Sequence, residues 1–270
     1  MIKKFLSQNI DFIYYFIRSI DSKKRFIVIT PNFFSIIFNK VLIFDKYKKN
    51  FLFIAINNLF DFDTILEIFG LESYNLNNHK LFKELLKKYD SDKLKPKFII
   101  DCGANIGCSA IYFQKIVENS RIIAIEPDKK NYELLKKNFS EYNGALINSA
   151  VANSKENYEI LENENKRAIR INEVSDSDNK TVTIKEIIQN YNNDNINFIL
   201  KIDIEGFEKN LFEKNSNWVF EFDVIIIEIH DYLYPKQKIS ETFFRSIYKN
   251  ETHNYDCIVQ GENLIFFKIS

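Results

Sequence analysis

The sequence has no excess charge of either sign: 37 lysines and arginines stand against 37 aspartates and glutamates in 270 residues. Chains that grip nucleic acid neutralise phosphates with a basic surplus, so nucleic acid is excluded as the expected partner. Cysteine is scarce and odd in number, with Cys102, Cys108 and Cys257 alone. That excludes a disulfide-stapled fold and predicts reduced thiols in a cytoplasmic protein. Cys102 and Cys108 lack metal-ligand spacing and a nearby histidine, and read as small side chains filling tight space. Long hydrophobic runs are missing too. In the opening 25 residues Gln8, Asn9 and Asp11 break the apolar pattern, and Phe12–Ile17 is too short for a signal core or a membrane span. Phe5, Ile13, Phe16, Ile17 and Ile20 fit one helical face, expected to pack on the protein or on a second copy, with peripheral membrane contact the lesser alternative. No internal repeat or heptad pattern is present. Lysine outnumbers arginine, and asparagine, isoleucine and phenylalanine abound, a composition of AT-rich bacterial genomes.

What is present centres on Phe98–Glu126, FIIDCGANIGCSAIYFQKIVENSRIIAIE. A short apolar run, a turn holding Gly103 and Gly107, an amphipathic helix from Cys108 to Glu118 and a second apolar run ending in Glu126 make a βαβ unit. Glycines let such a turn approach a ligand closely, and the free N–H groups of the helix start face whatever lies above it. An acid at the offset of Glu126 is where nucleotide-binding folds meet ribose hydroxyls. The turn lacks the third glycine of the dinucleotide fingerprint G-x-G-x-x-G. Asp101 ahead of it is awkward beside a pyrophosphate and suits a cation. S-adenosylmethionine, which carries an ammonium and a sulfonium and no phosphate, fits better than NAD.

The D-x-G-x-N-x-G turn resembles the first motif of class I S-adenosylmethionine-dependent methyltransferases. Four more segments follow in order: IIAIEPDKKNYELLKKN, ILKIDIEGFEKNLFE, VIIIEIHD and GENLIFF. Together they resemble the FkbM family of methyltransferases, and FDFDTILEIFGLESYNL (60–76) resembles the segment preceding its cofactor domain. The resemblance covers roughly 60–270. It implies a Rossmann-like, doubly wound, mostly parallel α/β sheet ending in an antiparallel hairpin, with S-adenosylmethionine as methyl donor and S-adenosylhomocysteine as product. It further implies O-methylation of a hydroxyl on a sugar, a surface-glycan precursor or a secondary metabolite, with a nucleotide-linked sugar among the candidate acceptors. Two rivals stay open: a regulatory protein that binds the cofactor without catalysis, and an NAD-linked enzyme on a related fold.

Before that domain, FIVIT, KVLIFD and FLFIAI read as strands of a small sheet, and 63–74 and 79–89 as helices. The stretch 91–97 with Pro96 marks the boundary. The expected organisation is an accessory α+β region, 1–95, serving as lid, acceptor-binding element or dimerisation element, followed by the methyltransferase domain, 96–270. Further strands are expected at 145–151, 198–202 and 224–229, and 153–180 is either an insertion or the short strands YEIL and AIRI beside the site. Thr183 and Glu186 form a capping box, T-x-x-E.

Ligands of such sheets bind beyond the carboxyl ends of the strands. The expected cofactor contacts are Asp101, Gly103, Asn105, Gly107, Glu126, Pro127, Ala150 and Asp203. The expected catalytic group is His230, Asp203 and Glu228, with Asp203 and Glu205 sharing one strand face and Lys201 a salt-bridge partner. His230 is read as general base, because an imidazole titrates near neutrality. His79 and His253 lie in polar loops and are read as inert. No metal is expected. The second reading of the acids is a Mg²⁺ site built on Asp203, Glu228 and a neighbouring oxygen.

Overall fold

The computed structural model describes residues 12–14, 16, 17, 20, 23–90, 95–161, 170–174, 179–249 and 254–269. Strands β1 (Phe26–Val28), β2 (Lys40–Asp45) and β3 (Asn50–Ala55) form an antiparallel sheet in the order β1-β2-β3. A short helix not anticipated from the sequence, α1 (Asn32–Phe38), joins the first two strands and exposes Phe33, Ile37 and Phe38. Helix α2 (Leu59–Ile65) starts on an Asn58–Asp61 capping box and runs on as a π-helical turn over Leu66–Leu71. Helix α3 spans Lys80–Asp90. Near the chain start, Phe12 and Phe16 turn inward while Ile13, Ile17 and Ile20 are exposed, so the apolar face expected there is divided; Phe5 lies outside the described residues.

The main sheet then begins. In chain order come β4 (Lys97–Cys102), α4 (Cys108–Ile116), β5 (Ser120–Ile125), α5 (Lys129–Asn138) and β6 (Gly144–Ile147). The pair β7 (Tyr158–Leu161) and β8 (Arg170–Glu173) stands apart as an antiparallel ribbon. β7 is the expected YEIL strand, and β8 overlaps the expected AIRI strand at Arg170 and Ile171, residues 168 and 169 lying outside the described residues. Helix α6 (Ile184–Tyr191), opened by the Thr183–Glu186 capping box, leads to β9 (Ile196–Ile202). Helix α7 (Glu208–Glu213), a 3₁₀ turn (Ser216–Glu221), β10 (Val224–Glu228) and α8 (Ile239–Tyr248) precede the hairpin of β11 (Asn254–Gln260) and β12 (Asn263–Ile269). The sheet order is β11-β12-β10-β9-β4-β5-β6. Pairing from β10 to β6 is parallel, and β12 runs antiparallel to both its neighbours. The doubly wound sheet closed by an antiparallel hairpin is therefore as expected.

Alternation along the strands divides the core into two layers. Ile99, Val224, Ile226, Ile265 and Phe267 face one side, and Phe98, Ile100, Ile225, Ile227 and Phe266 face the other. The first side is covered by α4 and by the amino-terminal region, whose Phe26 and Phe69 pack against Tyr112 while Phe82 packs on Phe198. The second is covered by α6, α7 and α8 through Ile184, Ile187, Leu211, Phe212 and Phe243. The amino-terminal region thus shares a core with the main sheet. Each large side chain so buried contributes about 1.5–3 kcal/mol, and the sheet face supplies much of what the three short strands need.

One expected strand is shorter than read. The third parallel strand, expected over 145–151, ends at Ile147 because Asn148 Nδ2 donates to the carbonyls of Glu126 and Pro127 and turns the chain. Val151 rejoins only through a single bridge to Val182. That bend opens the surface beside Glu126.

Candidate active site

The carboxyl ends of β4, β5, β9 and β10 lie side by side, and two hollows meet above them. Gly103 makes the meeting possible. Its backbone is left-handed (φ 78°), and a Cβ there would stand 1.7 Å from the carbonyl oxygen of Asp203. Only glycine lets the turn after β4 lie against the chain leaving β9. Lys201 locks the same junction from below. It is 2% exposed, its Nζ donates to the Gly103 carbonyl at 2.8 Å, and it pairs with Asp101 at 3.2 Å and Asp203 at 3.5 Å. Burial alone would lower the Lys201 pKa, but Asp101 and Asp203 outweigh it and hold the ammonium charged.

The first hollow is a narrow cleft of about 60 Å³ running past Gly103, Asn105, Glu126, Pro127, Ala150 and Asp203. Six expected cofactor positions therefore share one wall, joined by Ser149, Asn131 and Ile171 of β8, which the sequence did not single out. Glu126 is 4% exposed, and its two oxygens accept from the backbone N–H of Asn105 (2.8 Å) and Asp128 (3.0 Å). Burial raises its carboxyl to about 7 against the lowering effect of those bonds. An ionised carboxylate offers about four lone-pair sites. Asn131 Nδ2 also reaches Oε1 at 3.5 Å, so it is Oε2, with the Asn105 N–H alone, that keeps capacity for a ligand hydroxyl.

The second hollow is wide, about 510 Å³, and carries Asp203, Glu205, Glu228 and Glu262 with Tyr232 and Tyr74. Gly103, Asn105, Asp203 and Glu205 line both hollows. Beneath its acid wall lies His230, 1% exposed. Nδ1 meets Glu208 Oε1 at 2.8 Å, while Nε2 faces Glu228 at 3.3 Å, Glu205 at 3.5 Å and Asp203 at 3.8 Å. Burial would lower the imidazole pKa, but the bonds to Glu208 and Glu228 and the surrounding carboxylates raise it to about 11. Glu205 moves up to about 8, through burial first and the charge of Asp203 second.

Three expected roles need correction. Asp101 is fully buried and lines neither hollow: it accepts from Ser109 Oγ at 2.5 Å and pairs with Lys201, so it supports the turn from behind. Gly107 begins α4 and also lines neither hollow. His230 was expected to start neutral and touch the acceptor, yet it sits behind Asp203, Glu205 and Glu228 and is held protonated. The convergence of Asp203 and Glu205 is also not strand alternation, since β9 ends at Ile202. A left-handed Glu205 (φ 55°) and Gly206 (φ 101°) wrap the chain back. Glu208, in the same IDIEGFEKN segment, was missed as the partner of His230; its Oε1 also accepts from the N–H of Gly206 and Ile204. His79 meets Gln260 at 3.1 Å, away from both hollows, and His253 lies outside the described residues.

A narrow cleft joined to an acid-walled cavity at the strand ends of a seven-stranded, mostly parallel sheet with an antiparallel hairpin is the architecture of the Rossmann-like methyltransferase class. Residues 101–254 match the model of the methyltransferase FkbM domain, and the chain belongs to that family. No curated protein sequence matches the chain. Among solved structures, it is similar to a methyltransferase FkbM from Methylobacillus flagellatus KT, at 17% identity and a TM-score of 0.42 over 64% of this chain and 43% of that one. The chain thus spans less than half the length of that protein. It is also similar to a methyltransferase from Geobacter sulfurreducens (15%, TM-score 0.36, 69% and 77%). A third likeness is M. capricolum TrmK in complex with S-adenosylhomocysteine (14%, TM-score 0.35, 68% and 66%).

The cofactor of the family is S-adenosylmethionine, and the residues fit it. Glu126 retains acceptor capacity for a ribose diol, Ala150 and Ile171 give the cleft apolar walls, and the junction with the cavity is anionic where a sulfonium would lie. Among the described residues no helix is long and apolar enough to cross a membrane.

Proposed function

We propose that the chain transfers the methyl group of S-adenosylmethionine to a hydroxyl oxygen of a sugar, a glycan precursor or another hydroxylated small molecule. The observation that carries this is the shared wall: Gly103, Asn105, Asp203 and Glu205 belong to both hollows. These four residues would hold a donor in the narrow cleft with its methyl group toward the wide cavity. Methyl transfer is an in-line displacement, so holding the acceptor oxygen opposite the sulfur supplies much of the rate. The cofactor supplies the electrophilic methyl. Glu126 would hold its ribose end, and the acid wall formed by Asp203, Glu205 and Glu228 would receive the acceptor hydroxyl.

An alcohol must also shed its proton. Glu205 lines both hollows, so it would take the role of base that His230 is too deeply seated to fill. His230, tied to Glu208, keeps the acids in register from behind. The test is incubation with methyl-labelled S-adenosylmethionine and a panel of sugars, nucleotide-linked sugars, glycan fragments and phenolic or polyketide alcohols, with mass spectrometry of the product. A methyl ether supports the reading. Label found on nitrogen, carbon or sulfur, or S-adenosylhomocysteine binding without transfer to any hydroxyl, defeats it.

A further inference from the structure

The floor of the wide cavity has the chemistry of a metal site. Asp203, Glu228 and His230 each offer one ligand atom, all within 4.8 Å of one another. Around an ion with bonds of about 2.1 Å, neighbouring ligand atoms stand roughly 3.0–3.4 Å apart and opposed ones about 4.2 Å. The observed separations from Nε2, 3.3 Å to Glu228 and 3.8 Å to Asp203, fall within that range. A single ring N–H cannot serve three carboxylates, and charge-assisted hydrogen bonds run shorter, about 2.7–2.9 Å.

The acids do not stand alone. His230 is 1% exposed, and its other nitrogen is committed to Glu208 at 2.8 Å, itself fully buried. A buried carboxylate that fixes the tautomer and aim of an imidazole is the usual outer partner of a metal-binding histidine. The Lys201 ammonium is shared between Asp101, the Gly103 carbonyl and Asp203 Oδ2 (3.5 Å), which leaves the other oxygen, Oδ1, facing Nε2.

We propose that Asp203, Glu228 and His230 bind one divalent transition-metal ion at the floor of the acceptor cavity, the ion taking the place of the proton on His230 Nε2, which is released to solvent on binding. One imidazole with two carboxylates suits the Mn²⁺-to-Zn²⁺ series, whereas Mg²⁺ and Ca²⁺ favour all-oxygen sets. The ion's role in catalysis rests on the methyl-transfer reading; its binding does not. There it would hold the acceptor hydroxyl and acidify it. The hydroxyl proton passes to Glu205 and the oxygen lone pair forms the O–CH₃ bond. The C–S bond breaks with its electron pair going to sulfur, leaving a neutral thioether.

The test needs neither cofactor nor acceptor. Chelator-treated full-length protein is titrated with Mn²⁺ alone, following loss of the free-ion resonance signal, and with Zn²⁺ by calorimetry. One ion per chain is expected. His230→Ala and Glu228→Gln should each weaken binding at least 100-fold, Glu208→Gln about 10–100-fold, and surface Glu241→Gln not at all. S-adenosylhomocysteine binding reports folding independently in every variant. Protein that binds S-adenosylhomocysteine but takes up neither ion at millimolar concentration overturns the metal site and leaves the methyl-transfer reading standing. Binding that survives both His230→Ala and Glu228→Gln overturns it equally.

Discussion

Glu126→Gln isolates the cofactor end of the site, because the substitution keeps the side-chain shape and removes only charge and acceptor capacity. In the native site both carboxylate oxygens accept backbone N–H groups, from Asn105 and Asp128. A glutamine places an NH₂ group against one of those donors and leaves a single oxygen for the ribose diol. The loss is about that of one hydrogen bond to a charged group, 1.5–3 kcal/mol, or roughly 10–150-fold in affinity. The pH dependence sharpens the test. With the carboxyl at about 7, the ionised fraction falls about tenfold from pH 8 to pH 6, and affinity for S-adenosylhomocysteine should fall with it.

The effect of the same group on folding has the opposite sign. Its carboxyl is raised above the ordinary value of 4.5 by burial, so the folded state holds a proton that the unfolded state releases across that window. The Glu126 contribution is fully present below about pH 4.5 and is lost as pH rises through 7. Compared with Glu126→Gln, the native protein should therefore lose apo stability and gain cofactor affinity over the same interval. Calorimetric titration and thermal unfolding at pH 6, 7 and 8 measure both. Native affinity that ignores pH, or a folded Glu126→Gln protein with unchanged affinity, refutes the assignment.

Three other changes probe the scaffold. Lys201→Met strands Asp101, which is fully buried, and should cost about 3–5 kcal/mol in chemical denaturation; adding Asp101→Asn should recover part of the loss. Gly206→Ala sets a Cβ 1.9 Å from Tyr234 and forces a left-handed backbone. Thermal unfolding should register about 1–2 kcal/mol for the backbone alone, which Tyr234→Ala cannot restore. Gly103→Ala, with its Cβ inside the Asp203 carbonyl, should abolish S-adenosylhomocysteine binding, and retained calorimetric affinity would show that the turn is not pinned as described.

The fold was readable wherever burial dictates composition. β4, β9 and β10 are covered on both faces, so Phe98–Ile100, Phe198–Leu200 and Val224–Ile227 appear as unbroken apolar runs that no surface strand would carry. The Thr183–Glu186 cap was readable because both partners lie within one turn. Helix α1 was not, since Phe33, Ile36, Ile37 and Phe38 are exposed apolar residues with no polar face to give a period. The early end of β6 depends on Asn148 reaching the Glu126 and Pro127 carbonyls, a contact 21 or 22 residues apart that local propensity does not encode.

The site divides the same way. The cofactor turn was legible because its constraints are local: a left-handed Gly103, a helix beginning at Cys108, an acid at the end of the next strand. Residue type revealed the acids of the second hollow but not their depth. Asp101 and Asp203 read alike as strand-end carboxylates, yet Lys201 draws the first into the core and leaves the second 25% exposed on the wall of both hollows. His230 shows the same limit more sharply. A histidine two residues beyond Glu228 invites the role of base, and only the fold brings Glu208 from the start of α7 against its Nδ1. With that nitrogen committed and the ring beneath three other carboxylates, Nε2 faces the acids, and His230 lines neither hollow. The chemistry open to His230 is then set by what it shares with Asp203 and Glu228.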